Sequence, residues 1–139
     1  HFSEDMPITE EIQRRIGDNV TCIKKKCLTE EMLSIIGNMD LLVGVRLHSL
    51  IHSAIMEVPM IGISYDPKVN SFMKSMDLRA MCSVYDFKGE YLLEEYDKVM
   101  ENKEALLDKV RKHKGSLIDK LNNNEILIKK LLGEEGSDV

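Results

Sequence analysis

Five side chains in this sequence have the types and spacing to do chemistry: Arg46, His48, Ser64, Tyr65 and Lys68. All lie in one stretch, Leu41 to Asn70, LLVGVRLHSLIHSAIMEVPMIGISYDPKVN. Arg46 is a permanent cation with a planar fork of donors, suited to phosphate or carboxylate. His48 follows two residues later, and histidine is the usual proton donor or acceptor in catalysis. Ser64 and Tyr65 add hydroxyls, and Lys68 adds an ammonium. Such a set suits a small, doubly anionic ligand, with Arg46 and His48 as the catalytic pair. Spacing alone is a weak guide, because an Arg or His beside a helix start is more often structural. Lys68 is also open to a plainer reading as a solvated side chain, and Asp66 is most simply a helix cap. His52 stands four residues after His48, but no Glu sits between them in the HExxH pattern and no third ligand is evident. Metal binding is therefore not expected. His113, far along the chain, is expected to be exposed.

The elements that must position these groups can be read around them. Leu41 to Val43 reads as a buried strand, Gly44 as a turn, and Leu47, Leu50, Ile51, Ala54 and Ile55 as the apolar face of a short helix. Pro59 marks the return, Met60 to Ile63 the next strand, and Asp66-Pro67 the cap and first position of another helix, running to about Met76. Met81 to Tyr85 is a last short strand. Ligands bind at the C-terminal ends of parallel strands, so the five side chains are expected on one rim. The free N–H groups that open each following helix attract anions to the same place.

Upstream, Pro7 to Ile16 reads as a helix with Pro7 in its first turn, Glu10 and Glu11 near its positive end, and Gly17 as its stop. Val20 to Ile23 is a strand candidate, and Lys24-Lys25-Lys26 a solvated loop. Thr29 is placed to cap the next helix, with Glu30 and Glu31 in its first turn and Gly37-Asn38 at its end. Helices and continuous apolar strands thus alternate. That pattern predicts an α/β fold, a parallel sheet of about four strands with helices on both faces. From Glu90 the pattern becomes one long amphipathic helix, interrupted at Gly115 or at Asn122 to Asn124, then a last piece from Glu125 to Leu132 and a frayed polar tail, Gly133 to Val139. The expected organisation is an α/β donor-site domain over 1–89 and a long helix or helical pair with its tail over 90–139. The long helix either covers the sheet or packs on another domain or a partner.

Bulk composition narrows the classes. The 139 residues suit one domain, and 43% hydrophobic content is enough for a core of Leu, Ile, Val and Met, with no Trp. A formal net charge of −5 argues against a nucleic-acid reader, which would show a basic stripe. Three cysteines, Cys22, Cys27 and Cys82, form no CxxC pair, and a reducing setting is expected. No apolar run is long enough to span a membrane, and no signal peptide is visible. The chain opens on His1 rather than Met, so it is expected to be part of a longer protein.

The segment VGVRLHSLIHSAIMEVPMIGISYDPKV resembles the signature of the polysaccharide pyruvyl transferases, close to the bacterial cell-wall CsaB type. The matching pieces are Gly44-x-Arg46-Leu47-His48, Pro59, and Gly62-Ile63-Ser64-Tyr65-Asp66-Pro67-Lys68-Val69. Leu28 to Glu31, Leu41 to Val43 and the opening His1-x-x-Glu4-Asp5 are also similar, the last to an element at the end of an earlier strand, so the likeness runs roughly from Ser3 to Tyr85. The resemblance implies a Rossmann-like half of a two-domain, GT-B-type fold, incomplete at its N-terminus, with the active site between the halves. Such enzymes move pyruvate from phosphoenolpyruvate onto two hydroxyls of a sugar as a ketal and release phosphate. It implies that Arg46 and His48 belong to the donor site and that Ser64, Tyr65 and Lys68 line the same cleft. The implied partners are phosphoenolpyruvate, a sugar or lipid-linked polysaccharide acceptor, and an N-terminal domain. No cofactor is implied. The implied setting is cytoplasmic or at the inner face of the membrane, and the chain by itself is expected to have little or no activity.

Two other classes fit the residues less well. Half of a GT-B sugar-nucleotide glycosyltransferase or epimerase would share the strand-turn-helix phosphate site but prefer a nucleotide diphosphate. A non-catalytic anion-binding or assembly module would use the rim as a sensor and self-associate through the long helix at Leu106, Leu107 and Val110.

Overall fold

The computed structural model describes residues 2–17 and 19–131. His1 and the tail Gly133 to Val139, along with Leu132, lie outside the described residues. The chain divides into two compact units, His1–Met32 and Leu33–Val139.

The first unit holds helix α1 (Phe2–Ile16) and the start of α2 (Thr29–Ile36). Helix α1 begins earlier than expected, so Pro7 lies inside it rather than in its first turn, and Glu4 and Asp5 are helical rather than at a strand end. Proline cannot donate to the preceding turn, which removes one helical bond there. Gly17 does stop the helix: its φ is +81°, and its N–H donates to the Gln13 carbonyl at 2.8 Å. Val20 to Ile23, expected as a strand, has no regular structure. Apolar content alone does not supply a ladder partner, and a short run without one is not a stable strand. The Lys24 to Lys26 run is exposed, with Lys25 paired to Glu31 at 2.7 Å. Thr29 is the first helical residue of α2; the cap is made by the Glu31 carboxylate, which accepts the Leu28 N–H at 2.9 Å.

The second unit holds the sheet. Strands β1 (Leu42–Gly44), β2 (Met60–Ser64) and β3 (Cys82–Ser83) run parallel in the order β1-β2-β3. Leu42 faces Met60, Gly44 faces Gly62, and Ser64 faces Ser83. Helices α3 (Leu47–Ile55) and α4 (Pro67–Ser75) make the crossovers. The described sheet therefore has three strands rather than four. Central β2 is buried along its whole length, as a strand flanked on both edges should be. Edge strand β1 is not: Val43 is 47% exposed, so helices do not cover both of its faces.

After a short 3-10 turn, Val84–Asp86, come α5 (Gly89–Glu101) and α6 (Lys103–Leu131). The interruption falls at Asn102, not at Gly115 or Asn122 to Asn124, which are helical. The Asn102 side chain turns back to donate to the Lys98 carbonyl at 2.8 Å, a local bond that competes with helix continuation. Val99, Leu107 and Val110 are buried with Leu50, Ile61, Val69 and Met73 in the core. Beyond them, Leu117, Ile118 and Leu121 are exposed. No helix among the described residues is long and apolar enough to cross a membrane.

Candidate active site

The site grows from two strand-to-helix turns of the same design. At the first, Gly44 ends β1, Arg46 occupies the N-cap of α3 in extended conformation, and His48 is the second helical residue. The Arg46 carbonyl accepts both the Ser49 N–H, at 3.1 Å, and the Ser49 hydroxyl, at 2.7 Å. These bonds fix the turn that carries the cation. Gly44 is required here by close approach. A Cβ on it would lie 2.7 Å from Ser49 Oγ and 2.8 Å from Leu50 Cδ2.

At the second turn, Ser64 ends β2, Asp66 is the N-cap of α4, Pro67 follows, and Lys68 is the second helical residue. The Asp66 carboxylate accepts the Lys68 N–H at 2.8 Å, the capping bond expected of this residue. Because β1 and β2 are parallel neighbours, the two turns lie side by side. Their second helical residues, His48 and Lys68, occupy equivalent places in successive units.

Arg46, His48, Tyr65 and Lys68 line one hollow of about 190 Å³, with Asp66, Leu47 and Val69 completing its wall. Four of the five singled-out side chains thus meet. Ser64 does not join them; it is buried, its hydroxyl donates to the Asp66 carbonyl at 3.3 Å, and it lines a neighbouring hollow. At the start of α4 the first N–H groups are already engaged, Lys68 with the Asp66 carboxylate and Val69 with the Asp66 carbonyl. On its wall the Arg46 and Lys68 cations outnumber the one carboxylate, Asp66, which suits the hollow to an anion.

His52 is half-buried and does not line the hollow. Among the described residues, no three His, Cys, Asp or Glu side chains cluster as metal ligands would. His113 is half-buried rather than exposed, with Nε2 3.4 Å from the Ser75 hydroxyl. The neighbouring hollow, about 320 Å³, adds residues that the sequence did not single out: Asn70, Cys82 and Ser83. The strand-end rule applied to β1 and β2 would have found Ser83, since it ends β3. A separate hollow of about 420 Å³ lies at the opposite edge of the sheet, floored by Met60, Met73, Val99 and Leu107, and none of the five side chains reaches it.

Residues 5–67 match the family model of polysaccharide pyruvyl transferase. Over these residues, somewhat under half of the chain, the sequence is similar to the polysaccharide pyruvyl transferases. The match takes in the whole first turn, with Arg46 and His48, and the second turn as far as Pro67. Lys68 and the rest of the expected likeness up to Tyr85 lie outside it. No curated protein and no solved structure matches the chain significantly. Within the matched span, the hollow is where the Arg46 cation and the His48 imidazole come together.

Proposed function

We propose that this chain forms the donor side of a pyruvyl transferase that moves pyruvate from phosphoenolpyruvate to a sugar of a cell-surface polysaccharide, inside the cell. The observation that carries this reading is the convergence of Arg46, His48 and Lys68 on one hollow at the ends of two adjacent parallel strands, largely within a stretch of pyruvyl transferase pattern. Phosphoenolpyruvate carries a phosphate and a carboxylate on adjacent groups. The two cations, Arg46 and Lys68, match that charge. The site would face a second, N-terminal half in a GT-B-like arrangement, and the acceptor would enter between the halves.

In the proposed reaction, a proton adds to the methylene carbon of phosphoenolpyruvate and leaves an oxocarbenium-like centre at the carbon that bears the phosphate. One sugar hydroxyl attacks that centre and loses its proton. Phosphate departs with the electrons of its bond to carbon, and the second hydroxyl closes the ketal. In sum, one hydroxyl proton ends on the new methyl group and the other on phosphate. Arg46 and Lys68 hold the phosphate and carboxylate. His48 moves the proton or steadies the departing phosphate.

The test uses the complete natural protein, with phosphate release and the ketal methyl signal as readouts. His48→Ala is expected to abolish transfer while leaving the circular dichroism spectrum unchanged. Turnover near the wild-type rate in a folded variant removes His48 from the mechanism. A nucleotide diphosphate sugar that binds this hollow better than phosphoenolpyruvate would replace the reading with a glycosyltransferase.

A further inference from the structure

Beside the anion hollow, the larger depression of about 320 Å³ runs between the ends of β2 and β3, lined by Ser64, Tyr65, Asp66, Asn70, Cys82 and Ser83. Its size falls at the lower end of the roughly 300–1,000 Å³ typical of small-molecule sites. Tyr65 and Asp66 line both hollows, so they form a common wall. We propose that this second hollow is a pyranoside subsite that holds the acceptor sugar against the donor. The proposal rests on the transferase reading above.

Three observations point to a neutral polyol rather than a second anion. The first is charge. One hollow is lined by Arg46, His48 and Lys68; the other has no Lys, Arg or His on its wall, and its one carboxylate is Asp66. A phosphate or carboxylate would meet that carboxylate with no cation to offset it, whereas a hydroxyl would donate to it.

The second is unused hydrogen-bonding capacity. The Asn70 amide has no side-chain partner among the described residues and offers two donors and an acceptor. Asp66 engages Oδ1 in capping Lys68, which leaves Oδ2 to accept. The Ser83 oxygen accepts the Tyr85 N–H at 3.3 Å and keeps its own proton to donate. Adjacent ring hydroxyls each donate and accept, and an amide beside a carboxylate is matched to both roles. The third is Tyr65, a half-exposed aromatic residue on the shared wall, of the type that packs on the C–H face of a sugar ring.

The arrangement puts the donor carbon on one side of Tyr65 and Asp66 and the attacking hydroxyl on the other.

Cys82 supplies a built-in reporter, since its half-buried thiol lines this hollow while Cys22 and Cys27 lie in the other unit. Alkylation by iodoacetamide is followed at each cysteine by mass spectrometry, on this chain, with methyl β-D-glucopyranoside, methyl β-D-galactopyranoside and methyl α-D-mannopyranoside. At about 100 mM, above the millimolar range of weak binding, at least one is expected to slow Cys82 alkylation about threefold or more and leave Cys22 and Cys27 unchanged. Asn70→Leu, on the exposed face of α4, is expected to abolish the protection. No protection by any of the three, equal protection by sorbitol, or protection that survives Asn70→Leu would overturn the subsite. Phosphoenolpyruvate titrated against the backbone amides of residues 46–48 and 68 tests the donor reading separately. Sugar protection without phosphoenolpyruvate binding would keep the sugar site and sink the transferase reading; the reverse result would do the opposite.

Discussion

A methyl group at Gly44 would collide with Ser49 Oγ and Leu50 Cδ2, both within 2.8 Å of where its carbon must lie. Leu50 is fully buried and has no room to retreat. Gly44→Ala is therefore expected to destabilise the protein by about 1–3 kcal/mol, the usual cost of overpacking, read from urea unfolding. The damage should extend to the site, because the Ser49 bonds that fix Arg46 would be displaced with it. Asp66 offers a cleaner separation of roles. Asparagine caps a helix as well as aspartate does, while alanine does not. Asp66→Ala should cost about 0.5–2 kcal/mol and Asp66→Asn far less. If the two variants are equally destabilised in thermal unfolding, the cap is not what holds α4 in place. Within the core, Ser53 is fully buried, and its hydroxyl donates to the Val58 carbonyl at 2.8 Å. Ser53→Ala should cost about 1–3 kcal/mol, because the buried carbonyl loses a partner while no water can replace it.

The helices that open at the site are fastened at their other ends by α6. Glu57 follows the C-cap of α3 and Asp77 that of α4, each at φ 55°, a left-handed position that residues other than Gly, Asn or Asp seldom fill. Lys114 donates to the Glu57 carboxylate and to the Ile55 carbonyl, Arg111 donates to the other Glu57 oxygen, and Lys109 grips both the carboxylate and the carbonyl of Asp77. Lys114 first, then Arg111, holds the Glu57 carboxyl below the usual carboxylate range. Its stabilising effect is then complete above the ordinary carboxylate pKa and is lost as pH falls through the lowered folded value. Glu57→Gln should lower the thermal midpoint at pH 7, with the gap between variant and wild type narrowing as pH falls through the lowered folded value. A gap that is constant with pH would mean that packing, not the ion pairs, joins α6 to α3. None of this latch was legible beforehand. Helical spacing reveals an apolar face, but it does not say which acidic residue a lysine reaches across some fifty positions of sequence. The break at Asn102 was missed for a related reason. Gly115 and the Asn run are weak helix formers, yet they are tolerated in α6, while the decisive bond at Asn102 is local to its own turn.

At the scale of the larger unit, what could be read in advance was what chain order dictates. Apolar strands separated by short helices force parallel pairing, parallel pairing puts strand ends on one edge, and the edge brings Arg46, His48, Tyr65 and Lys68 together. Partner availability could not be read that way: Val20 to Ile23 has strand composition and no strand, and Val43 has core composition and is half exposed. The same distinction divides α6. Its first half is internal, with Leu107 and Val110 buried and Leu106 half-buried, so these residues are not available as the self-association surface that their spacing suggested. Its second half carries Leu117, Ile118 and Leu121 in the open, beyond the last residue of the latch. Isolated helix is marginal in water, so stability should fall sharply along this one helix. Native-state hydrogen exchange should show amides near Leu107 to Lys114 protected to nearly the same degree as those of Met60 to Ser64, while amides around Leu117 to Leu121 exchange orders of magnitude faster. Ending the chain after Ser116 should therefore leave the unfolding midpoint within about 0.5 kcal/mol of wild type, as surface changes usually do. A larger loss, or strong protection of the second half at concentrations where the protein is monomeric, would show that Leu117, Ile118 and Leu121 are held by packing within the chain.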